Sequence, residues 1–412
     1  MLLRARVIVP VSQPPIDNGA VLVSGRHIRA VGPWRRLSKL PHQRVIDLGE
    51  QAILPGLINA HCHLDYTDMS GQFDPPRRFT DWIKLITTAK ASWSDEEFAA
   101  SWRRGAQMLL GTGTTTVGDI EALPTLLPDA WNSTPLRVFS FLEMTGIRSR
   151  RQPQAVLDET LAHIARLKHR RCKAWLSPHA PYSTLPELLR LTLATARRRR
   201  WRVATHVAES DQEFEMFMHA QGEMHDWLLR NERNNADCGL GSPVQHLERH
   251  GALTASLLAI HANCLAPGDA DLLARRGAHI VHCPRSHAYF RHQAFPFEAL
   301  TVAGANISLA TDSLASVSKT ASRPLELNMF EEMLEFARRF PSVPPERILR
   351  MVTVNPARAL GVAGKLGELR VGACADLIAI PAARHHVFSS ILHHTGNVFA
   401  SMIDGRWAIS PV

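Results

Sequence analysis

A chain of 412 residues that is 45% hydrophobic and 21% charged can bury a sizeable core, and no apolar run approaches the ~18 residues a membrane span needs, so a soluble globular protein is expected. Its formal charge of +9 is scattered except at "RSRR" (148 to 151) and Arg197 to Arg200, which argues against nucleic acid, although a basic surface favours an anionic small substrate. Six dispersed cysteines with no CxxC pair fit free thiols in a reducing compartment.

Residues 1–54 alternate apolar and polar positions in short runs ("RARVIVPV", "GAVLVSGRHIRAVG", "QRVIDLG") broken by Gly, Pro and Asn, the pattern of small antiparallel strands. The opening "MLLRARVIVPVSQPP" lacks the apolar stretch and cleavage site of a signal peptide, so a cytoplasmic location is expected. From Ile53 the pattern changes to apolar runs separated by segments of helical period: "ILPGLINAHCH", "TTTVGDI", "LRVFSFLEM", "KAWLSPHA", "RVATHVAE", "LLAIHANC", "HIVHCPRS" and "NISLATDS". Eight such runs, followed by helical residues 323–361, predict an α/β fold, a (β/α)8 TIM barrel. Arg197 to Arg200 read as the solvated last turn of one of its helices. After residue 362 the short-strand style returns. The domain reading is therefore a barrel over 55–362 and a small discontinuous β-sandwich domain formed by both termini, 1–54 and 363–412.

In such a barrel the active site lies at the C-terminal ends of the strands. Here the first ends on His61 and His63, the fourth on His179, the fifth on His206 with Glu209, the sixth on His261, the seventh on His282 and Cys283, and the eighth on Asp312. Each alone has a plain structural reading: a hydrogen-bonded core histidine, a first-turn helix carboxylate for Glu209, a helix cap for Asp312. Together they converge on one mouth. Within "HCH" the two-residue period of a strand puts His61 and His63 on one face and turns Cys62 towards the helices. Two imidazoles on one face suit a borderline-soft divalent cation, and His206 and Asp312 can complete its ligand set. Cys62, Cys264 and Cys283 lack the context of a nucleophile and read as buried thiols. "LLGTGTTTV" lacks the third glycine and the Lys-Ser/Thr of a nucleotide loop and reads as a helix stop.

The ordered set "PGLINAHCHL", "SPHAPYS", "THVAES", "IHANCL", "HCPRSH", "ATDSLAS", "NPARALG" and "GELRVGACADLI" resembles the amidohydrolase superfamily, in its cytosine/guanine/adenosine-type deaminase and chlorohydrolase branch. The resemblance implies one Zn²⁺ per chain, with Fe²⁺ as the alternative ion, held by His61, His63, His206 and Asp312; no strand-four lysine stands where a bridge between two metals would sit. A metal with an open position lowers the pKa of bound water to about 7. By resemblance Asp312 orients that water and takes its proton, Glu209 protonates the ring nitrogen beside the attacked carbon, His261 hydrogen-bonds the water or the developing oxyanion, and His179 faces the substrate.

The activity implied is hydrolytic deamination of a purine-nucleoside-like heterocycle. The alternatives are the same barrel acting on a free base, pterin, triazine or cyclic amide, or a non-catalytic scaffold, against which the retained site argues. In "FTDWI" Asp81 would hold ribose hydroxyls and Trp82 would wall the pocket, by resemblance to nucleoside-type members; the competing reading is an ordinary helix start. After strand three, Glu143 and then Arg148, Arg150 and Arg151 could meet a charged substrate tail, which makes S-adenosylhomocysteine and aminodeoxyfutalosine the first candidates. The partner expected is a small heterocyclic substrate, with a homodimer as a compatible assembly, and neither nucleic acid nor membrane. Cys62 and His287 depart from the branch's usual Thr and Asn.

Overall fold

The computed structural model describes residues 1–147, 152–319, 324–382 and 386–411. The N-terminal alternation folds into β1 (Leu2–Ile8), β2 (Ile16–Ser24), β3 (His27–Pro33), β4 (Val45–Asp47) and β5 (Gln51–Pro55). β1, β2 and β3 pair antiparallel in order, while β4 and β5 run parallel to β1. The apolar runs then supply β6 (Leu57–Cys62), β7 (Thr114–Glu121), β8 (Arg137–Met144), β9 (Lys173–Pro178), β10 (Val203–Val207), β11 (Leu257–His261), β12 (His279–His282) and β13 (Asn306–Leu309). They form a second sheet in sequence order, parallel at every step, with helices between them.

β14 (Leu377–Pro381), β15 (Ala400–Ile403) and β16 (Arg406–Ile409) return to the first sheet, β14 pairing antiparallel with β5 from Leu377↔Pro55 to Pro381↔Gln51. Both termini thus build one mixed sheet of order β16-β15-β14-β5-β1-β2-β3. The chain changes sheets at Gly56, where a Cβ would lie 2.1 Å from Thr115 Oγ1, so only glycine lets β6 start this close to β7.

The barrel closes through few backbone bonds. Just beyond β13, Asp312 forms a single parallel bridge with Cys62 of β6. Beside it the Asn59 side chain substitutes for a ladder: its amide donates to Thr311 Oγ1 at 2.7 Å and its carbonyl accepts from Thr311 N at 3.1 Å. This seam sets Asp312 against the strand that carries His61 and His63.

Alternation along β6 is not uniform. Ile58 and Ala60 pack inside the barrel with Phe139, Phe141, Ala204 and Ile260, whereas Leu57 and Cys62 join the layer that also holds Trp102 and Leu109 of the helix Asp95–Gly111. A register shift between Asn59 and Cys62 switches the parity, which lets His61 as well as Ala60 face inward. Over 61–63 itself the expected alternation is present, with Cys62 buried among helix residues.

The helix Pro186–Arg199 ends as expected: Arg197 to Arg200 are exposed and Arg200 stops it in a left-handed conformation at φ 56°. At the base, Arg137 at the start of β8 binds Asp376 through Nε at 2.5 Å and Nη2 at 3.1 Å, and Asp404 through Nη2 at 2.9 Å. Asp376 and Asp404 belong to the terminal sheet, so this buried cluster, joined by Arg170, ties it to the barrel. Among the described residues no helix is long and apolar enough to cross a membrane.

Candidate metal centre and pocket

Strand ends deliver the polar side chains to one point. The ligand atoms of His61, His63 and His206 all lie within 4.8 Å of one another, as do those of His61, His261 and Asp312. His61 Nε2 is 3.4 Å and His63 Nε2 3.7 Å from Asp312 Oδ1. All five residues are buried, and neither ring nitrogen of His61 has a hydrogen-bond partner. An orphaned imidazole nitrogen of this kind costs free energy unless another group takes its lone pair, as a cation at Nε2 would.

Second contacts orient the cluster. His206 Nδ1 lies 2.9 Å from the His179 carbonyl oxygen, which can only accept, so the proton sits on Nδ1 and the Nε2 lone pair faces the centre. Asp312 accepts from Ser286 Oγ at 2.6 Å, Ser313 N at 2.8 Å and Ser316 Oγ at 3.3 Å. Burial, reinforced by neighbouring histidines, pulls His63 and His206 well below the usual imidazole range, and burial does the same to His261. For Asp312 burial pushes upward, but His61, His261 and His63 overcome it and hold the carboxyl well below its ordinary value. Neutral imidazoles with one ionised carboxylate are the donor set of a borderline divalent metal.

Glu209 lies beyond β10 with Oε1 3.5 Å from His261 Nε2. Burial, then Asp312 and Glu213, raise its pKa well above the carboxylate range, so it keeps a proton when exposed carboxylates have lost theirs. The backbone here is left-handed at four non-glycine residues: Ala208 (φ 51°), His261 (φ 72°), Ala262 (φ 50°) and Asp312 (φ 56°). Such conformations cost on the order of 1–3 kcal/mol each and persist where surrounding bonds enforce them.

A cavity of about 360 Å³ opens over the cluster. One wall is polar, with Glu143, His179, Lys90 and Tyr66; the other is aromatic and aliphatic, with Phe79, Trp82, Ile83, Ile86, Trp227 and Phe290. His179 Nε2 is 3.8 Å from Glu143 Oε2, and its Nδ1 lies 2.5 Å from Ser183 Oγ. Burial opposes ionisation of Glu143, yet His179 and Lys90 hold its pKa below the ordinary value. A cavity of about 480 Å³ elsewhere, lined by Arg350, Arg358 and Arg370, contains no histidine.

Not every residue singled out in the sequence reaches this pocket. Trp82 lines it, but Asp81 does not; it sits 3.5 Å from Lys84 on the solvent side of the helix Phe79–Ala91. Successive helical residues are turned by about 100°, so Trp82 facing inward takes Asp81 outward. Arg148, Arg150 and Arg151 lie outside the described residues. His282 stacks on Phe295 with ring centroids 3.8 Å apart instead of facing the cluster. Cys62 and Cys283 are buried with thiols pushed up by burial, whereas Cys264 is half-buried and meets Asp211 Oδ1 at 3.3 Å.

Most of the aromatic and aliphatic wall leaves no mark in the sequence, and two polar-wall residues, Tyr66 and Lys90, were missed as well. Tyr66 stacks on His63 at 5.1 Å with rings 7° from parallel, and Lys90 donates to the Tyr66 hydroxyl. The signal for Lys90 was its place on the Phe79, Trp82/Ile83, Ile86 face, where a lysine breaks an apolar stripe at helical spacing.

Comparison with known proteins agrees with this architecture. The profile of the amidohydrolase family matches residues 52–408. A 5-methylthioadenosine/S-adenosylhomocysteine deaminase of Syntrophobacter fumaroxidans is 30% identical over 410 residues, covering 95% of this chain and 88% of the relative. Among solved structures, a zinc-bound adenosine deaminase from Xanthomonas campestris superposes with a TM-score of 0.84 at 24% identity, covering 100% of this chain and 93% of that one. Helicobacter pylori aminofutalosine deaminase, in complex with methylthio-coformycin, gives 0.86 at 20% identity, covering 99% and 100%. Profile, relative and barrel together place this chain in the amidohydrolase family.

Proposed function

We propose that the chain is a metal-dependent hydrolytic deaminase that removes the exocyclic amine of an adenine nucleoside or a close analogue. The observation that carries this reading is the meeting of His61, His63, His206, His261 and Asp312 with a proton-holding Glu209 at the floor of one pocket. His61, His63, His206 and Asp312 would hold the ion, which we take to be zinc from its borderline donor set; when bound it supplies the Lewis acidity that makes water a nucleophile near neutral pH.

The protein's own groups account for the remaining steps. Glu209 places its proton on the ring nitrogen beside the amine-bearing carbon, which draws electron density from that carbon. The Asp312 carboxylate accepts a proton from the attacking water, and His261, held neutral, donates a hydrogen bond to the oxygen as charge grows there. Glu209, once deprotonated, takes the second proton of the attacking oxygen as its carbonyl forms and relays it to the amine, which departs as ammonia, and the proton held by Asp312 returns to Glu209. The aromatic wall of Trp82, Trp227 and Phe290 offers faces against a heterocycle, and His179 with Glu143 offers hydrogen bonds at its edge.

The nucleoside preference is supported by the name of the Syntrophobacter relative, a deaminase of 5-methylthioadenosine and S-adenosylhomocysteine. Ammonia release decides it: zinc-loaded protein is assayed against adenosine, 5-methylthioadenosine, S-adenosylhomocysteine and aminodeoxyfutalosine, with free adenine, guanine, a pterin and a chlorotriazine beside them. The expected result is turnover confined to the adenine nucleosides. Ammonia from none of the aminated heterocycles would defeat the deaminase reading, and release from free bases alone would defeat its nucleoside part.

A further inference from the structure

His287 lies in the "HCPRSH" motif but does not line the pocket, and no step above uses it. Its Nδ1 is 3.1 Å from the side-chain oxygen of Asn263, and the Asn263 amide nitrogen donates to the backbone oxygen of Glu209 at 3.0 Å. The Asn263 backbone N–H donates to the Ala208 oxygen at 2.9 Å, and the Glu209 N–H donates to Glu213 Oε2 at 2.9 Å. Glu209 is therefore gripped on both sides of its α-carbon. It follows Ala208, which has φ 51°, and Asn263 follows Ala262, which has φ 50°, so two left-handed turns are pinned to each other.

We propose that His287 is a positioning residue for Glu209: it fixes the Asn263 carboxamide, which in turn holds the Glu209 backbone so that its carboxyl meets the ring nitrogen of the substrate. This rests on the deaminase reading above. Because the Asn263 amide nitrogen is committed to Glu209, its oxygen faces His287 and must accept, so His287 carries its hydrogen on Nδ1. Burial lowers the His287 pKa to about 4 against a hydrogen bond with the Gln293 backbone that raises it, which keeps the ring neutral through the pH range of catalysis, while the Asn263 oxygen calls for its hydrogen on Nδ1. A displaced general acid costs rate more than binding, since its contact with the ring nitrogen strengthens as the proton transfers.

The chemistry of the two side chains gives a discriminating substitution. Asn Nδ2 and His Nδ1 are the same number of bonds from Cβ, so His287→Asn restores a donor at the same place, while His287→Phe keeps ring volume and removes it. For zinc-loaded His287→Phe, kcat falls roughly 10- to 100-fold with KM within about twofold, unchanged metal content and an unchanged unfolding midpoint; His287→Asn stays within about threefold of the parent. Wild-type kcat in His287→Phe overturns the proposal, as does a His287→Asn that falls equally far, because ring volume would then be what matters. Should His287→Phe not fold, Asn263→Leu removes the same link at similar volume, and full kcat there is equally fatal. A reading independent of turnover is the ¹⁵N spectrum of the His287 ring. A neutral Nδ1–H tautomer between pH 5.5 and 8.5 supports the relay, and an Nε2–H tautomer refutes it. Absence of ammonia from every substrate in the parent protein defeats the deaminase reading, while the ring spectrum still tests the bond.

Discussion

At the base of the barrel Arg137 meets Asp376 and Asp404 across three hydrogen bonds, while at the mouth His61 has both ring nitrogens unpartnered and four non-glycine residues hold left-handed backbone. Both regions bury charge. At the base, opposite charges are matched on the spot, and the match joins two segments 239 residues apart. At the mouth the polar groups of His63, His206, Glu209, His261 and Asp312 face a shared cavity. The contrast teaches where this fold stores stability and where it gives stability up for a ligand.

The largest effect should come from breaking the mouth. Asp312→Asn keeps the shape but removes the only carboxylate of the donor set formed with His61, His63 and His206. We expect loss of bound metal and a fall in kcat/KM of roughly 10³-fold or more, equivalent to about 4 kcal/mol. The measurement is metal content by mass spectrometry beside ammonia release, and a variant that keeps both would remove Asp312 from the site.

Breaking the base should do the opposite. Arg137→Ala strands buried Asp376 and leaves buried Asp404 with Arg170 alone, so urea unfolding should show a loss of about 3 kcal/mol or more. Turnover per bound metal should hold within about twofold, since Arg137 is at the N-terminal end of β8. A large loss of turnover with unchanged stability would erase the division of labour between the two ends.

How much of this division the sequence discloses depends on the range of the interactions. The strand ends were legible because each run is short, apolar and followed at once by His61, His179, His206, His261 or Asp312, which are local patterns. The switch of parity before His61 was not, because it requires a bulge set by pairing with β7. Closure of the barrel by Asn59 and Thr311 joins residues 252 apart and leaves no local trace. Asp81 is a different case: adjacent positions in "FTDWI" read as one ribose-binding and one wall residue, and only the packed helix shows that Trp82 lines the pocket while Asp81 pairs with Lys84 outside it.

An intermediate effect, dependent on pH, should appear behind the mouth. Glu213 is fully buried and burial raises its carboxyl to about 7, with Oε1 unpartnered while Oε2 accepts from the Glu209 N–H. In the unfolded chain the same carboxyl ionises near 4.5, so the folded state holds the proton more tightly. The stability this contributes is complete below about pH 4.5 and is lost as pH rises through about 7, a span of roughly 3 kcal/mol. Glu213→Gln, which cannot ionise, should therefore gain relative to the parent as pH goes from 5 to 8. Parallel unfolding free energies of the two proteins over that range would show that Glu213 is already ionised in the fold.

The smallest effect sharpens the boundary of the pocket itself. Asp81 is half-exposed and its ion pair with Lys84, at 3.5 Å across an i,i+3 spacing, is of the surface kind worth about 0–1 kcal/mol. If the pocket ends where Trp82 walls it, Asp81→Ala should change KM for an adenine nucleoside by less than about twofold and stability by less than about 1 kcal/mol. Trp82→Ala, which strips an aromatic face packed on Phe73 and Phe290, should raise KM by roughly tenfold in the same assay. A tenfold rise for Asp81→Ala on nucleosides but not on free adenine would mean that the helix Phe79–Ala91 turns when substrate binds and brings the carboxylate to the ribose. The pair of variants thus separates a helix that presents one fixed face from a helix that rotates.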